Sequence, residues 1–183
     1  MFIFLIVAAV LALVFVSFYN SLVKLKNKCE EAWSSINIQL KRRFDLVPNL
    51  VETVKGYATH EKSTFEAVIQ ARNGVSQVSA GDVAGQAQAQ AQLSQAVRQI
   101  MVLAESYPQL RANENFMSLQ SSLTEIESDI QNARRYYNGV TRDFNTALET
   151  FPSVIIARLL NYSKKDYFEL ESADEAKAVQ VKF

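Results

Sequence analysis

From Phe2 to Tyr19 the chain reads FIFLIVAAVLALVFVSFY, eighteen residues without a charge. At a rise of about 1.5 Å per residue this run makes a helix of roughly 27 Å, close to the hydrocarbon thickness of a bilayer. Phe18 and Tyr19 close it with aromatic rings suited to headgroup level, and the first charge is Lys24. A cleaved leader would start with basic residues, carry a shorter apolar core and end in small residues. Here no Lys or Arg precedes the run, and its exit, SFYNSLV, is bulky. The segment reads as an uncleaved anchor.

Lys24, Lys26 and Lys28 follow the span, with no basic side chain before it. Positive charge stays cytoplasmic, so the expected topology is single-pass, with the amino terminus outside and the carboxy-terminal part inside. These lysines and Tyr19 are the candidate headgroup contacts, each lysine gaining about 1 kcal/mol from anionic lipid. The lone Cys29 forms no intrachain disulfide, in keeping with a reducing compartment.

About 160 of the 183 residues follow the span, enough for one domain with a core. The 19 basic and 19 acidic residues balance, which argues against a general nucleic-acid binder. With three Pro and five Gly, the composition leaves room for long helices. The expected boundaries are an anchor over 1–21, a helical domain over 22–162 and a charged tail over 163–183.

Apolar residues at Leu22, Leu25, Cys29, Ala32, Trp33, Ile36, Leu40, Phe44 and Val47 keep helical spacing, with no breaker after the span. One long, stalk-like helix rising from the bilayer is predicted. Pro48 predicts a kink or tight break, with Asp45 as the cap of any new helix. The stripe resumes at Leu50, Val51, Val54, Ala58, Phe65, Val68 and Ile69. Residues 74–92, rich in Gly, Ser, Ala and Gln, read as a loop that ends in the start of a third helix, over about 87–106. The fourth helix is the clearest: Phe116, Leu119, Leu123, Ile126, Ile130, Ala133, Tyr137, Val140, Phe144 and Leu148 form one seam of about four heptads, a coiled-coil pattern. An all-α, up-and-down antiparallel bundle of about four long helices buries such stripes. Val154, Ile155, Ile156, Leu159 and Leu160 are too apolar for open solvent, and make a candidate docking or assembly surface on the bundle, on a neighbour or on the membrane. The charged end reads as loose, with a strand-like alternation at Val179, Val181 and Phe183.

Several of these residues also fall in a recognisable order. Tyr19-Asn20-x-Leu22-Val23 follows the span, then Ala32-Trp33, then QLKRRFDLVPNLV over 39–51. Tyr57, His60-Glu61, Ala71-Arg72, Tyr107-Pro108, Ala112 to Phe116 (ANENF), Ala133-Arg134-Arg135-x-Tyr137-Asn138 and Phe151-Pro152 come after them. This pattern resembles the bacterial LemA family over nearly the whole chain, and the Gln-Ala tract at 86–92 lies outside it. The resemblance implies an anchor, a cytoplasmic helical bundle at the cell (inner) membrane, no known cofactor and no defined reaction. It also implies association with membrane stress responses and a membrane metalloprotease.

His60 and Glu61 match half of a zinc-protease motif, but the second ligand position holds Thr64 and the chain has one His. No metal site and no cofactor are expected, and Glu61 is better read as the partner of an arginine. Lys41, Arg42 and Arg43 stand beside Asp45. Arg42 or Lys41 is placed to pair with Asp45, and Arg43, nearer the seam, needs a carboxylate from Glu61, Glu127 or Asp129. A lipid role for this run is disfavoured, because it lies roughly 30 Å beyond the span and the Debye length is about 8 Å. The expected function is a non-enzymatic, homo-oligomeric membrane scaffold that organises membrane proteins or the envelope surface. The alternatives are an adaptor or regulator of a membrane protease and, least supported by these residues, a hydrolase.

Overall fold

The structure, a computed structural model, describes residues 1–79 and 81–169. Six helices occur among them: α1 (Phe2–Lys55), α2 (Lys62–Gln77), α3 (Val83–Ala104), α4 (Pro108–Arg111), α5 (Glu114–Glu149) and α6 (Ser153–Leu159). No strand is present among the described residues. The protein is all-α, as its apolar spacing predicts. Four helices are long and two short. The tail with Val179, Val181 and Phe183 lies outside the described residues.

The anchor stripe and the next stripe belong to one helix of 54 residues. The break expected at Pro48 does not occur there; α1 continues to Lys55, and the chain turns over Gly56–Glu61 instead. The chemistry around Pro48 explains this. Proline has no amide hydrogen, so the carbonyl four residues back, that of Phe44, loses its usual donor. Arg72 Nε on α2 donates to that carbonyl at 3.3 Å, and its guanidinium lies 3.8 Å from the Phe44 ring centroid. A side chain thus supplies the bond the backbone cannot.

The Gln-Ala tract is helical as well, so α3 begins earlier than the sequence suggests. Asp82 caps it, accepting from the Gly85 amide at 2.8 Å. Asn113 caps α5 in the same way, accepting from the Phe116 amide at 2.9 Å, with Glu114 favourably placed against the helix dipole.

Two compact units divide the described residues: 1–42 with 125–167, and 43–124 with 168–169. In the second unit, Val47, Leu50, Val51 and Val54 of α1 join Phe65 and Val68 of α2, Leu93, Val97 and Ile100 of α3, Leu110 of α4 and Phe116 and Leu123 of α5 in one core. Each such side chain contributes roughly 1.5–3 kcal/mol on burial. In the first unit, Leu22 and Cys29 of α1 pack with Phe144 and Leu148 of α5 and with Ile156 and Ala157 of α6.

Candidate membrane-proximal surface and polar contacts

α1 opens with the one segment, among the described residues, that is long and apolar enough to cross a membrane, and none of that window is buried. Residues 2–17 are exposed throughout, and burial starts at Phe18 and is complete at Leu22. The packed first unit therefore begins within about one turn of the last apolar residues of the span.

Of the candidate headgroup contacts, Tyr19, Lys24 and Lys28 are exposed, whereas Lys26 is half-buried, 3.8 Å from Glu30 and 6.0 Å from the Tyr162 ring centroid. The five residues of the candidate docking surface do not share a face. Ile156 is buried in the core of the first unit, Leu160 packs against that core and Val154 is half-buried. Ile155 and Leu159 point outward.

The chain after α6 is extended and held by side chains of α5. Asn145 donates from Nδ2 to the Lys165 carbonyl and accepts from the Lys165 amide, both at 2.9 Å. Tyr137 donates its hydroxyl to the Asp166 carbonyl at 2.9 Å. Burial holds the Tyr137 hydroxyl and the Cys29 thiol above their ordinary pKa values, against a partial lowering by the neighbouring Thr141 hydroxyl. Cys29 Sγ donates to the Val140 carbonyl at 3.5 Å, the packing role of a small apolar residue rather than that of a thiolate nucleophile.

The candidate ion-pair residues take different places. Arg42 donates to Gln39 Oε1 at 2.9 Å and lies 3.4 Å from Asp129 Oδ2; both ends are exposed, so the pair contributes only a fraction of a kcal/mol. Asp45 is exposed and Glu127 half-buried. Arg43 is buried, and its guanidinium donates to Ser94 Oγ and to Gln90 Oε1. Glu61 accepts from the Tyr107 hydroxyl at 3.3 Å, in place of the expected arginine. A cleft of about 240 Å³ beside it is lined by Tyr57, Ser106, Tyr107, Pro108 and Gln109. Burial and the Glu61 charge raise the Tyr107 pKa, so its hydroxyl donates and does not act as a base.

A pattern emerges that single-sequence reasoning missed. Residues carrying the family resemblance meet in pairs within the second unit: Phe44 with Arg72, Tyr57 with Asn113, and Glu61 with Tyr107. Tyr57 Oη accepts from Asn113 Nδ2 at 3.0 Å, so the residue capping α5 also braces the turn after α1. The only available signal was their shared membership in one pattern, because contacts 28 to 56 residues apart leave no local periodicity.

These features define a class: a helical protein with an amino-terminal segment fit for membrane anchoring. The sequence pattern described as the LemA family matches residues 32–183. The chain belongs to the LemA family. It is 24% identical to a protein named LemA from Metamycoplasma hominis over 178 residues, covering 97% of this chain and 80% of that one. It is also 22% identical to the magnetosome protein MamQ of Magnetospirillum gryphiswaldense over 181 residues, covering 86% of this chain and 66% of MamQ. A second magnetosome relative, MamQ 1 of Paramagnetospirillum magneticum, has the same identity and coverage. None of these names denotes an enzyme.

Proposed function

We propose that this protein is a single-pass membrane scaffold: residues 2–19 span the bilayer, the helical units lie on the cytoplasmic face, and copies self-associate to organise membrane proteins. The observation that supports this most is the unburied apolar segment that continues, in one unbroken helix, into a packed helical unit. The three lysines after the span support the orientation. The long apolar seam of α5 favours a part in assembly over a part in chemistry. Relatives named for the magnetosome, rather than for a reaction, point the same way.

The test is the mass of the full-length protein in nanodiscs beside a chain lacking residues 1–20. A discrete assembly from the full chain, lost on truncation, is expected and would locate self-association in the anchor. A full-length monomer would contradict the scaffold reading and favour an adaptor that acts through a different protein.

A further inference from the structure

The outer face of α6 is apolar and exposed. Phe151, in the turn before α6, and Ile155 and Leu159, one turn apart on it, are 81%, 60% and 68% exposed. Ile155 and Leu159, four residues apart, share one face of α6, and Phe151 adds a third large exposed apolar side chain in the turn just before it. The opposite face, Ile156 and Ala157, is buried against Leu22, Cys29, Phe144 and Leu148, with Phe18 packed on the same cluster.

That cluster fixes the height of α6. Phe18 belongs to the apolar span and Leu22 is one turn, about 6 Å, beyond it. The headgroup and interfacial layer is itself about 5–7 Å deep on each side of the hydrocarbon. The cluster that buries the inner face of α6 thus starts in that layer, at Phe18 and Leu22, and runs to Cys29, about 10 Å farther out, which puts α6 beside the membrane surface. The nearby charge suits an anionic surface. Lys24 and Arg158 are exposed and have no carboxylate partner among the described residues, while Glu30 lies near Lys26 and Glu149 is paired with Lys164.

We propose that Phe151, Ile155 and Leu159 insert into the boundary between headgroups and acyl chains beside the anchor, so that the first unit is held to the bilayer at two points. This inference rests on the reading of residues 2–19 as a membrane span. It is a contact with lipid in general, strengthened by anionic headgroups.

Depth-dependent fluorescence quenching by brominated lipids tests it on the full-length protein in vesicles of phosphatidylcholine and phosphatidylglycerol. Ile155→Trp and Leu159→Trp, each with Trp33→Phe, report on α6; the exposed positions make misfolding of both avoidable, and circular dichroism checks it. Leu13→Trp with Trp33→Phe reports on the span, and the native Trp33, fifteen residues beyond Phe18 and packed against Tyr137, reports on a position outside the lipid. The expected result is loss of emission at 155 and 159 with bromines high on the acyl chain, loss at 13 with deeper bromines, and none at Trp33. Quenching at 13 but not at 155 or 159 would overturn the α6 contact and leave the anchor intact. Unquenched but blue-shifted emission at 155 and 159 would mean that a second copy covers the stripe, which also overturns it. No quenching at any position would overturn the anchor and the α6 contact together.

Discussion

At the scale of single residues, the second unit replaces missing or buried bonds with named side chains. Pro48 leaves the Phe44 carbonyl without its backbone donor, and Arg72 fills the gap. Arg72→Ala should therefore destabilise the protein by about 1–3 kcal/mol. The loss should shrink in a Pro48→Ala background, where the amide of residue 48 reaches the carbonyl; urea unfolding of the four variants in micelles gives the coupling directly. Arg43→Leu should cost about 1–3 kcal/mol in the same measurement, because Gln90 and Ser94 lose their charged donor in a buried place. In the first unit, the Cys29 thiol and Tyr137 hydroxyl are neutral when protonated and hold their protons more firmly when folded. The stability tied to them is complete below the ordinary values of 9.0 and 10.0 and is lost as pH rises through them. Relative to the parent, Cys29→Ala should remove the part of the alkaline loss that begins near 9.0 and keep the part that begins near 10.0, as read from melting temperature against pH.

At the scale of elements, regular spacing was legible and chemistry that overrides spacing was not. Most of the α5 seam could be read from spacing: Phe116, Leu123, Ile126, Ile130, Tyr137, Phe144 and Leu148 are buried, while Leu119, Ala133 and Val140 are half-buried. Of the kink or tight break expected at Pro48, the break does not form, because the lost bond is supplied by Arg72, 24 residues away. Spacing puts the start of α3 about four residues late, because the Gln-Ala alternation offers no apolar stripe to mark it, yet Ala87, Ala89 and Gln90 are buried on α3, Gln90 to receive Arg43. The docking surface was half legible. Composition marked Val154, Ile155, Ile156, Leu159 and Leu160 as too apolar for open solvent, but only packing shows which of them the molecule itself covers. The start of α3 yields a sharp prediction. Asp82→Ala should cost about 1 kcal/mol by loss of the cap. A side chain at Gly85 would meet the Asp82 carboxylate at 2.3 Å, so Gly85→Ala alone should lose the cap and gain helix propensity, nearly cancelling. On top of Asp82→Ala, the same change should stabilise by about 1 kcal/mol, measurable by thermal melting followed by circular dichroism.

At the scale of the molecule, two properties bound what the chain does. Its formal net charge is zero, so net charge gives no general attraction to polyanions, and any such attraction is local. Among the described residues, the longest run of exposed apolar side chains is the first third of α1, and water is a poor solvent for that surface. A bilayer would resolve the conflict, and the buried clusters from Leu22 onward show that the described residues after the span pack cores of their own. Extraction of membranes with alkaline carbonate, followed by flotation, tests this directly. The full-length protein should stay with the lipid, and a chain lacking residues 1–20 should be released while keeping its helical circular dichroism. Release of the full-length protein, or retention of the truncated one, would contradict an anchor confined to residues 2–19.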